Sequence, residues 1–557
     1  MAHYAIGVDF GTLSARALVV DVKDGKEMGT FVTPYAHAVM DEKLPDGTPL
    51  GLDWALQHPK DYLDSMDSSI RGALKAAGVL AEDVIGLGID FTACTMLPVA
   101  KDGTPLCFMD KYKARPHAYV KLWKHHAAQQ EANLLNDIAA KRGEDFLSRY
   151  GGRVSSEWMF PKVWQILNED EAIYNECDRF MEAADWVLMQ IIGKEVRSSC
   201  VAGYKDLWSK SEGFPSSDFF KALDPRLENV IEEKFSTDIH SIGQKAGEIC
   251  ESATGFMGGL KSGIAVAVAN VDAHVAVPAA GIDDEGKMLL IMGTSTCHIM
   301  LSKKDVRVKG MAGIVEDGVL PGFFGYEAGQ SCVGDHFDWF VKNLAPKSYV
   351  EEAQSRGISV HDVLTERAQK LGIGESGLLA LDWWNGNRSI LMDADLTGVM
   401  LGMTLATKPE DIYRALLEAT AYGTRKIIET FENAGVAIKE LYACGGIAVK
   451  NPLMMQIYAD VTNRPFYIAK SDQAPALGSA MFGAVAAGKA RGGYESIFDA
   501  AHVMGGVRDT VYMPNAKDAK AYDALYKVYE RMHDLFGLGG DNALKDLKAI
   551  KNEALGE

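Results

Sequence analysis

Apolar runs interrupted by short polar turns define the start of the chain. Residues 4–10 (YAIGVDF), 15–22 (ARALVVDV) and 84–92 (VIGLGIDFT) are apolar runs, and a GTL turn at residues 11–13 separates the first two. This pattern predicts a β-hairpin followed by a further strand, because small turn residues bound each run. Before the third run, apolar residues recur at helical spacing, at Leu63, Met66, Ile70 and Leu74. Strands that alternate with helices predict an α/β fold.

The second half of the chain continues this alternation. A helix is predicted from an N-cap at Thr407, with Pro409 in its first turn, to a stop at Gly435. Its apolar face would consist of Ile412, Leu416, Ala419, Ile427 and Phe431. Residues 440–469 (ELYACGGIAVKNPLMMQIYADVTNRPFYIA) then predict a strand, a Gly-Gly loop, a helix and a strand. After Pro514, helical spacing predicts a packed terminal helix with the apolar residues Tyr522, Leu525, Tyr529, Met532 and Phe536.

Two turns of similar sequence lie 282 residues apart, about half the length of the chain. GTLSARALVV starts at Gly11 and GTSTCHIMLS starts at Gly293, and each follows an apolar run and leads into a strand. The match predicts a duplicated fold whose halves each present one loop of small residues to a cleft between them. Because Gly-Thr turns are common, a chance likeness of two hairpins is the alternative.

Length, composition and charge narrow the functional classes. With 557 residues, of which 47% are hydrophobic, the chain is expected to form at least two globular domains. Its net charge of −19 and its lack of a lysine or arginine block argue against nucleic-acid and membrane partners. An anionic ligand must therefore be held locally, by backbone N–H groups, a metal ion or a few cations.

The cysteines and the apolar segments favour a cytoplasmic protein. The eight cysteines contain no CxxC pair, which favours reduced thiols over a disulfide framework or a zinc site. The N-terminal MAHYAIGVDF lacks the basic segment of a signal peptide and is expected to be a first strand. The most apolar later segment, residues 262–282, carries polar residues at its centre, so we do not expect it to span a membrane.

The polar interruption of the first hairpin has the composition of a phosphate-binding loop. A carboxylate such as Asp9 at the end of a buried strand needs a cation or a hydrogen-bond partner. Gly11 lets a ligand approach the backbone, and Thr12 and Ser14 supply donors without bulk. Together with the positive charge of Arg16, these residues suit a polyphosphate and its Mg²⁺. A polar hairpin turn without a ligand is the alternative.

Two further loops carry similar residues. Gly293 and Thr294 precede two more hydroxyl side chains, so this loop and the first are expected to clamp the β- and γ-phosphates. Gly445 and Gly446 follow a predicted strand, where a base or ribose can lie against the backbone, and Asn451 lies near the next helix. The sequence is not GxGxxG, and no acidic residue follows at ribose-binding spacing, which argues against a dinucleotide site.

Asp272 is the strongest candidate for a catalytic group. It follows the apolar segment 263–270 (GIAVAVAN), at the kind of strand end where open α/β sheets bind ligands, and Asn270 and His274 flank it. We predict that Asp272 is a general base in a polar turn after this strand. An aspartate that caps a helix or stabilises a turn is the alternative.

Seven motifs, taken in order, resemble the FGGY carbohydrate kinase family from residue 4 to about residue 490. They are GVDFGTLSARALVVD, GIDFTACTMLPVAKDGTPL, VDAH, GTST, EAGQSCVGDHFDW, DLTGVMLGMTLATKPEDIYRALLEATAYGTR and ACGGIAVKNPLMMQIYADVTNRP. The resemblance implies an α/β fold of two ribonuclease H-like (actin-like ATPase) domains with a central cleft. We place the N-terminal domain at residues 1–265, the C-terminal domain at residues 266–500 and a packed helical extension at residues 501–557.

The resemblance also implies ATP and Mg²⁺ as cofactors and a ketopentose as the small-molecule substrate. Asp9 would lie near the metal ion. Around ATP, the implied contacts are Asp9, Gly11, Thr12, Ser14, Arg16, Gly293, Thr294, Gly445, Gly446 and Asn451. The implied sugar contacts are Thr92, Ala93, Lys205, Asp272 and Glu327. Of these, Asp272 would be the catalytic base.

Three segments resemble the L-ribulokinase branch of the family: residues 122–128 (LWKHHAA), 158–167 (WMFPKVWQIL) and 200–208 (CVAGYKDLW). Many members have a WxDxRA pattern where this chain has WKHHAA, which also favours that branch, although His125 and His126 could instead be exposed helix residues. The branch implies phosphorylation of L-ribulose at its C5 hydroxyl to L-ribulose 5-phosphate, as in L-arabinose catabolism. Alternatives are a kinase of another pentulose, such as D-ribulose, or a chaperone-like or cytoskeletal ATPase of the same fold. The sequence leaves a homo-oligomer open.

Overall fold

Two large sheets form the framework of the molecule. The computed structural model describes residues 3–555. Residues 1 and 2 of the predicted N-terminal domain and residues 556 and 557 of the predicted helical extension lie outside the described range. Within the described range there are two mixed seven-stranded sheets and a smaller four-stranded sheet. In the same range, no helix combines the length and apolar character that crossing a membrane requires.

The first sheet starts from the predicted hairpin. The opening elements of the chain are β1 (Tyr4–Phe10), β2 (Ser14–Asp21), β3 (Glu27–Pro34), the short β4 (Leu56–Gln57), α1 (Pro59–Ala77) and β5 (Val84–Phe91). All of these strands except β4 belong to the first sheet. β1 pairs antiparallel with β2 and parallel with β5, and α1 packs across β2 and β3. The predicted strands, and the helix that precedes the third, are therefore confirmed.

The next segment forms a subdomain with its own apolar core. Its elements are β6 (Met96–Val99), β7 (Val120–Lys121), α2 (Gln129–Arg142), α3 (Met159–Glu169), α4 (Glu171–Glu176), β8 (Arg179–Glu182), α5 (Ala183–Ile192), β9 (Arg197–Ser198), α6 (Ser199–Lys205), α7 (Ser217–Leu223), α8 (Val230–Lys234) and β10 (Ile239–His240). β4, β7, β6 and β8 pair in that order. Leu135, Phe160, Phe219 and Phe235 are among the buried residues of this core.

The two adjacent histidines lie in a turn before α2 and not on a helix. His125 is buried, where its Nδ1 accepts a hydrogen bond from the N–H of Ala55 at 3.3 Å and its Nε2 lies 3.0 Å from Oε1 of Gln165. His126 is exposed. The alternative of two exposed helix residues is therefore wrong, because the first imidazole fills the subdomain core and satisfies its polar groups there.

The first sheet is completed by elements that follow the subdomain. These are β11 (Lys245–Glu248), β12 (Ala265–Ala267), β13 (Asn270–Val271) and helix α9 (Asp272–Ala279). The strand order is β11-β12-β5-β1-β2-β3, and β13 pairs with the end of β5. We expected a polar turn after the apolar run, but the chain instead makes two more strand residues and begins α9 at Asp272. The reason is that residues 273–279 remain almost entirely apolar and can pack as a buried helix.

The second sheet carries the later loops. Its part of the chain contains β14 (Lys287–Met292), β15 (Thr296–Ser302), β16 (Gly313–Glu316), β17 (Phe324–Gln330), α10 (Gly334–Leu344), α11 (Lys347–Arg356), α12 (Val360–Ala368), β18 (Leu379–Leu381), β19 (Val399–Leu401), α13 (Pro409–Asn433), β20 (Glu440–Cys444), α14 (Gly446–Lys450), α15 (Pro452–Thr462) and β21 (Phe466–Ala469). The predicted helix after residue 407 is α13, but its N-cap is Lys408 and not Thr407. Proline at the first helical position sets this boundary, because the residue before it is held extended.

The last segment links the two sheets. It contains α16 (Ala474–Ala487), α17 (Ile497–Met504), β22 (Val507–Tyr512), α18 (Ala516–Gly537) and α19 (Ala543–Leu555). β22 joins the second sheet, in the order β16-β17-β15-β14-β20-β21-β22, whereas α16 packs on β1, β5 and α9. Glycine permits this packing, because a Cβ at Gly88 would lie 1.9 Å from the carbonyl oxygen of Ser479. The helix predicted after Pro514 is α18, which buries Tyr522, Tyr526 and Tyr529.

Candidate active site

Carboxylates collect at one edge of the first sheet. Asp9 near the end of β1 is the register partner of Asp90 near the end of β5, and Asn270 of β13 pairs with Asp90 from the other side. Asp272 follows β13 directly and is the first residue of α9. Since β1, β5 and β13 run parallel, their C-terminal ends bring these acidic groups to the same place.

In the described part of the chain, Asp9 and Asp90 have one cation, Arg16, to offset their two negative charges. The Arg16 guanidinium lies 4.0 Å from the Asp9 carboxylate across the hairpin, and the hydroxyl of Ser479 donates a 2.6 Å hydrogen bond to Asp90. Burial raises the pKa of Asp9, although Arg16 opposes the shift. Burial and the neighbouring Asp9 carboxylate raise the pKa of Asp90 well above its ordinary value. Within residues 3–555, Oδ1 of Asp90 has no hydrogen-bond partner.

Asp272 has the properties of a group that exchanges a proton near neutral pH. Its side chain is partly exposed, and its Oδ1 accepts a 2.6 Å hydrogen bond from the N–H of Ala273. Burial and the negative charge of Asp9 raise the pKa of Asp272 to about 7, while the Ala273 N–H and Lys205 act in the opposite direction. A carboxylate with this pKa can accept a proton from an alcohol as the alcohol reacts.

The first glycine-threonine loop is held from behind by side chains. Its own closure is a 3.0 Å hydrogen bond from the N–H of Gly11 to the carbonyl of Ser14. The Tyr35 hydroxyl donates to the Gly11 carbonyl at 3.0 Å, and the Gln57 amide donates to the Thr12 carbonyl at 2.8 Å. The Trp123 indole N–H donates to the hydroxyl of Thr12 at 3.1 Å. These contacts leave the hydroxyl hydrogen of Thr12 available as a donor.

The second loop also joins two antiparallel strands, but it is one residue shorter than the first. The N–H of Gly293 donates to the carbonyl of Ser295 at 2.9 Å, two residues on, whereas Gly11 reaches the carbonyl three residues on. The start of α10 supports it, because Val333 N–H donates to the Thr294 carbonyl at 2.9 Å and Gly334 N–H donates to the Gly293 carbonyl at 3.0 Å. Gly293 and Thr294 remain exposed. The two turns that match in sequence therefore both close through the N–H of their glycine, but on carbonyls at different spacing.

The glycine pair after β20 lies beside the second loop. β14 and β20 are parallel and adjacent, so Gly293 and Gly445 follow neighbouring strand ends. Gly445 has a φ of 98°, and a Cβ there would lie 2.3 Å from the carbonyl oxygen of Met292, so only glycine fits. Asn451 is the N-cap of α15, where its Oδ1 accepts a 3.0 Å hydrogen bond from the N–H of Met454. The cap occupies the oxygen of this amide and leaves its NH₂ group for a ligand.

Glu327 is the centre of a buried ionic cluster. Nζ of Lys205 lies 3.1 and 3.2 Å from its two carboxylate oxygens, and Nη2 of Arg388 lies 2.7 Å from Oε1. Nε2 of His274 is 3.5 Å from Oε2. Burial alone would raise the pKa of Glu327, but Lys205 and Arg388 lower it to about 2. The cluster joins α6 and α9 to β17 of the second sheet.

Thr92 and Ala93 continue from β5 at the edge that carries Asp9. The Thr92 N–H donates to the Phe10 carbonyl at 3.3 Å, and its hydroxyl lies 2.8 Å from that of Thr95. The next residue, Cys94, has a φ of 61°, and its carbonyl accepts a 2.5 Å hydrogen bond from the buried ammonium of Lys162. This backbone is therefore rigid where the resemblance implies a sugar contact.

The predicted residues form two groups that Asp272 connects. Residues 9–16 and 92–93 lie on the first sheet, whereas 293–294 and 445–451 follow strands of the second sheet. Asp272 responds electrostatically both to Asp9 and to Glu327. Three residues that contact this site were not predicted: Asp90, Arg388 and Ser479. Asp90 could have been found, because GIDF at residues 88–91 resembles GVDF at residues 7–10. No local pattern marks the other two.

Comparison with protein-family models matches both halves of the chain. Residues 4–278 match the N-terminal domain, and residues 288–487 the C-terminal domain, of the FGGY family of carbohydrate kinases. Ribulokinases of Halalkalibacterium halodurans and Anoxybacillus flavithermus are each 56% identical, over 99% of this chain and 98% of theirs. A ribulokinase of Staphylococcus aureus (strain Newman) is 39% identical over 99% of both chains.

Solved structures agree with this assignment of the fold. A xylulose kinase from Rhodospirillum rubrum superposes with a TM-score of 0.78 at 21% identity, over 95% of this chain and 98% of that one. A Plasmodium falciparum glycerol kinase with ADP superposes with a TM-score of 0.75 at 16% identity, again over 95% and 98%. The predicted α/β actin-like fold is confirmed. With both family models matched and near full-length relatives above 50% identity, the chain belongs to the FGGY family of carbohydrate kinases.

Proposed function

We propose that this enzyme transfers the γ-phosphoryl group of ATP to the C5 hydroxyl of L-ribulose, which gives L-ribulose 5-phosphate and ADP for L-arabinose catabolism. The relatives of 56% identity that are named ribulokinases support this substrate. The observation that carries the proposal is the position of Asp272 after β13, where burial, then Asp9 at the acidic edge and Glu327 of the ionic cluster, raise its pKa to about 7. A cytoplasmic location is also part of the proposal, on the sequence grounds above.

In the proposed reaction, Asp272 removes the proton of the attacking alcohol. The C5 oxygen forms a bond to the γ-phosphorus while the bond between that phosphorus and the β,γ-bridging oxygen breaks, and ADP leaves. The hydroxyl proton passes to the Asp272 carboxylate. General-base assistance of this kind contributes about 10² to 10⁴-fold to the rate. Placement of the alcohol oxygen in line with the phosphorus supplies much of the remainder.

The acidic edge fits a bound Mg²⁺. Carboxylate oxygens are the ligands that this ion prefers, and the side chain of Asp9 is 17% exposed. Mutual repulsion contributes to the raised pKa values of Asp90 and Asp272, and a nearby cation relieves such repulsion. We propose that Asp9 holds the ion, which would neutralise charge on the triphosphate. The N–H groups of the two glycine-threonine loops and the Arg16 guanidinium would orient the phosphates.

The sugar is proposed to lie between the first sheet and the Glu327 cluster. Lys205 and Glu327 offer a donor and an acceptor to its hydroxyl and keto oxygens, and both are fully charged. Thr92 and Ala93 would contact it from the rigid backbone after β5. Gly445, Gly446 and Asn451 are proposed to contact the adenosine at the far end of the nucleotide.

A steady-state panel tests the proposal. The enzyme would be supplied with ATP and Mg²⁺ and, in turn, with L-ribulose, D-ribulose, L-xylulose, D-xylulose or no sugar. We expect the highest kcat/KM with L-ribulose, and a ³¹P resonance of the product that couples to the C5 protons. A clear preference for D-ribulose would favour the alternative pentulose kinase. ATP hydrolysis at the same rate with and without sugar would favour the ATPase alternative and overturn the proposal.

A further inference from the structure

We infer that Arg388 is a positioning residue for the sugar site, which acts by fixing the Glu327 carboxylate. This inference rests on the proposed function, because it assigns Arg388 to the acceptor side of that reaction. Neither the motifs nor the resemblance drew attention to this residue. Arg388 lies in the loop between β18 and β19, and its side chain contacts β17 of the second sheet.

The Arg388 side chain packs closely against a glycine of β17. Glu327 and Gly329 alternate with Ala328 along β17, so both face the same side of the sheet. A Cβ at Gly329 would lie 3.1 Å from Cδ and 3.4 Å from Nε of Arg388. The arginine stem therefore runs close beside Gly329, and its guanidinium donates to Glu327. Gly329, the sixth of the seven residues of β17, leaves room for this close approach.

The backbone that carries Arg388 is also tied to this strand. Ser389 N–H donates to the Gly329 carbonyl at 3.1 Å, and Gly329 N–H donates to the Ser389 hydroxyl at 3.1 Å. The Asn387 side chain accepts a 3.0 Å hydrogen bond from the N–H of Leu391, which closes the loop on itself. Two anchored neighbours therefore fix the start of the arginine side chain, so its direction along β17 is determined.

The guanidinium lies between the nucleotide loop and the sugar contacts. Gly329 pairs with Cys297 of β15, which follows the second glycine-threonine loop directly. On the other side is Glu327, whose side chain is 4% exposed, as is that of Lys205. The side chain of Arg388 is 33% exposed, so it is the member of this triad that meets the cleft. One of its five N–H groups donates a hydrogen bond to Glu327, and others can face a bound sugar.

Two cations on one carboxylate make the effect of losing Arg388 predictable. Lys205 would still neutralise Glu327, so Arg388→Ala should remain folded. The carboxylate would lose its second fixed contact and turn within the site. Since a hydrogen bond to a charged group is involved, we expect the KM for L-ribulose to rise about tenfold to a hundredfold. The KM for ATP should stay within about twofold, because the nucleotide contacts are elsewhere.

The experiment compares Arg388→Ala and Arg388→Lys with the wild type and with Arg356→Ala. Arg356 pairs with Glu352 and Glu366 on the surface, so its loss serves as a matched control for removal of a bridged arginine. We would measure both KM values, kcat and, by calorimetry without ATP, the Kd for L-ribulose. Lysine restores the charge but not the forked geometry, so Arg388→Lys should fall between the wild type and the alanine variant.

Each outcome decides for or against the inference. A rise in sugar KM and Kd with an unchanged KM for ATP supports it, whereas an unchanged sugar KM, or an equal rise for ATP, overturns it. If Arg388→Ala does not fold, Arg388→Gln and Arg388→Lys provide the same test, and wild-type sugar KM in both overturns the inference. A wild-type enzyme without activity on L-ribulose would instead contradict the proposed function, which separates the two failures.

Discussion

Asp272 and Glu327 are two carboxyl groups of the same cleft whose pKa values are shifted in opposite directions. Burial raises the pKa of both groups if their neighbours are ignored. The pKa of Asp272 is about 7, because burial raises it and Asp9 adds negative charge beside it. The pKa of Glu327 is about 2, because Lys205 and Arg388 contact it directly. Placement of cations, and not depth in the protein, therefore decides which carboxylate can take up a proton.

The comparison separates the two sides of the proposed reaction. The edge of the first sheet holds three carboxylates with one arginine at 4.0 Å, so it is suited to receive a proton and a metal ion. The cluster on the second sheet holds one carboxylate with two cations, so its charges stay constant and can hold hydroxyl groups in place. A kinase needs both kinds of site, because chemistry and positioning make different demands on charge.

Replacement of Asp272 breaks the first side of the comparison and should have the largest effect. Asp272→Asn keeps the shape and a hydrogen-bonding oxygen but cannot accept the alcohol proton. We expect kcat to fall about 10² to 10⁴-fold, while the Kd for L-ribulose changes by less than about tenfold. Steady-state kinetics and calorimetry on the same preparation measure the two quantities. Near-normal turnover would remove Asp272 from the mechanism.

Replacement of Glu327 breaks the second side and should act on stability as well as on sugar binding. Glu327→Gln leaves Lys205 and Arg388 close together without a counter-charge. Loss of one partner of a buried ion pair costs about 3 kcal/mol or more, so urea should unfold the variant at a lower concentration.

A double variant provides the control for this prediction. Lys205→Met removes the more buried cation, so adding it to Glu327→Gln should recover part of the lost stability. Additive losses in the double variant would show that the two side chains do not interact as the ion pair implies.

Local pattern was sufficient for the elements that the sequence predicted. The hairpin of β1 and β2 and the helices α1, α13 and α18 follow from periodicity and turn residues, which act over a few positions. The start of α9 could not be predicted, because Asn270 and Val271 become strand residues only through pairing with β5, which lies far away in sequence. Tertiary pairing therefore determined this boundary.

The candidate site was predictable where a motif repeats and not where distant residues meet. The two glycine-threonine loops resemble one another in sequence, and in each the N–H of the glycine closes the turn. Ser479 and Asp90 are 389 positions apart in the sequence, and Arg388 and Glu327 are 61 positions apart. No local sequence pattern can therefore indicate either contact. The roles of the predicted site residues stay predictions until the variants are measured.

The pH profile sharpens the comparison between the two carboxylates. Proton acceptance requires ionised Asp272, so kcat/KM for L-ribulose should fall about tenfold per pH unit below pH 7 and level off above it. Glu327, with its pKa of about 2, should contribute no step between pH 5 and 9. Asp272→Asn should lose the step near pH 7, and its persistence in that variant would assign the titration to another group.

Asp90 offers the smallest and most specific test. Because burial and the Asp9 carboxylate raise its pKa in the folded protein, the unfolded chain releases this proton at lower pH, and the contribution of Asp90 to stability falls as the pH rises above about 4. Asp90→Asn keeps an oxygen for the Ser479 hydroxyl and has no charge to lose. We expect it to unfold at a higher urea concentration than the wild type at pH 7.

The pH dependence of that stabilisation separates charge from packing. Its size should shrink as the pH approaches 4, where the unfolded wild type keeps its proton as well. Ser479→Ala is the matched control, since it removes the hydrogen bond to Asp90 and should destabilise the protein at every pH. A gain in Asp90→Asn that does not vary with pH would mean that repacking beside α16, and not the carboxylate charge, separates the two proteins.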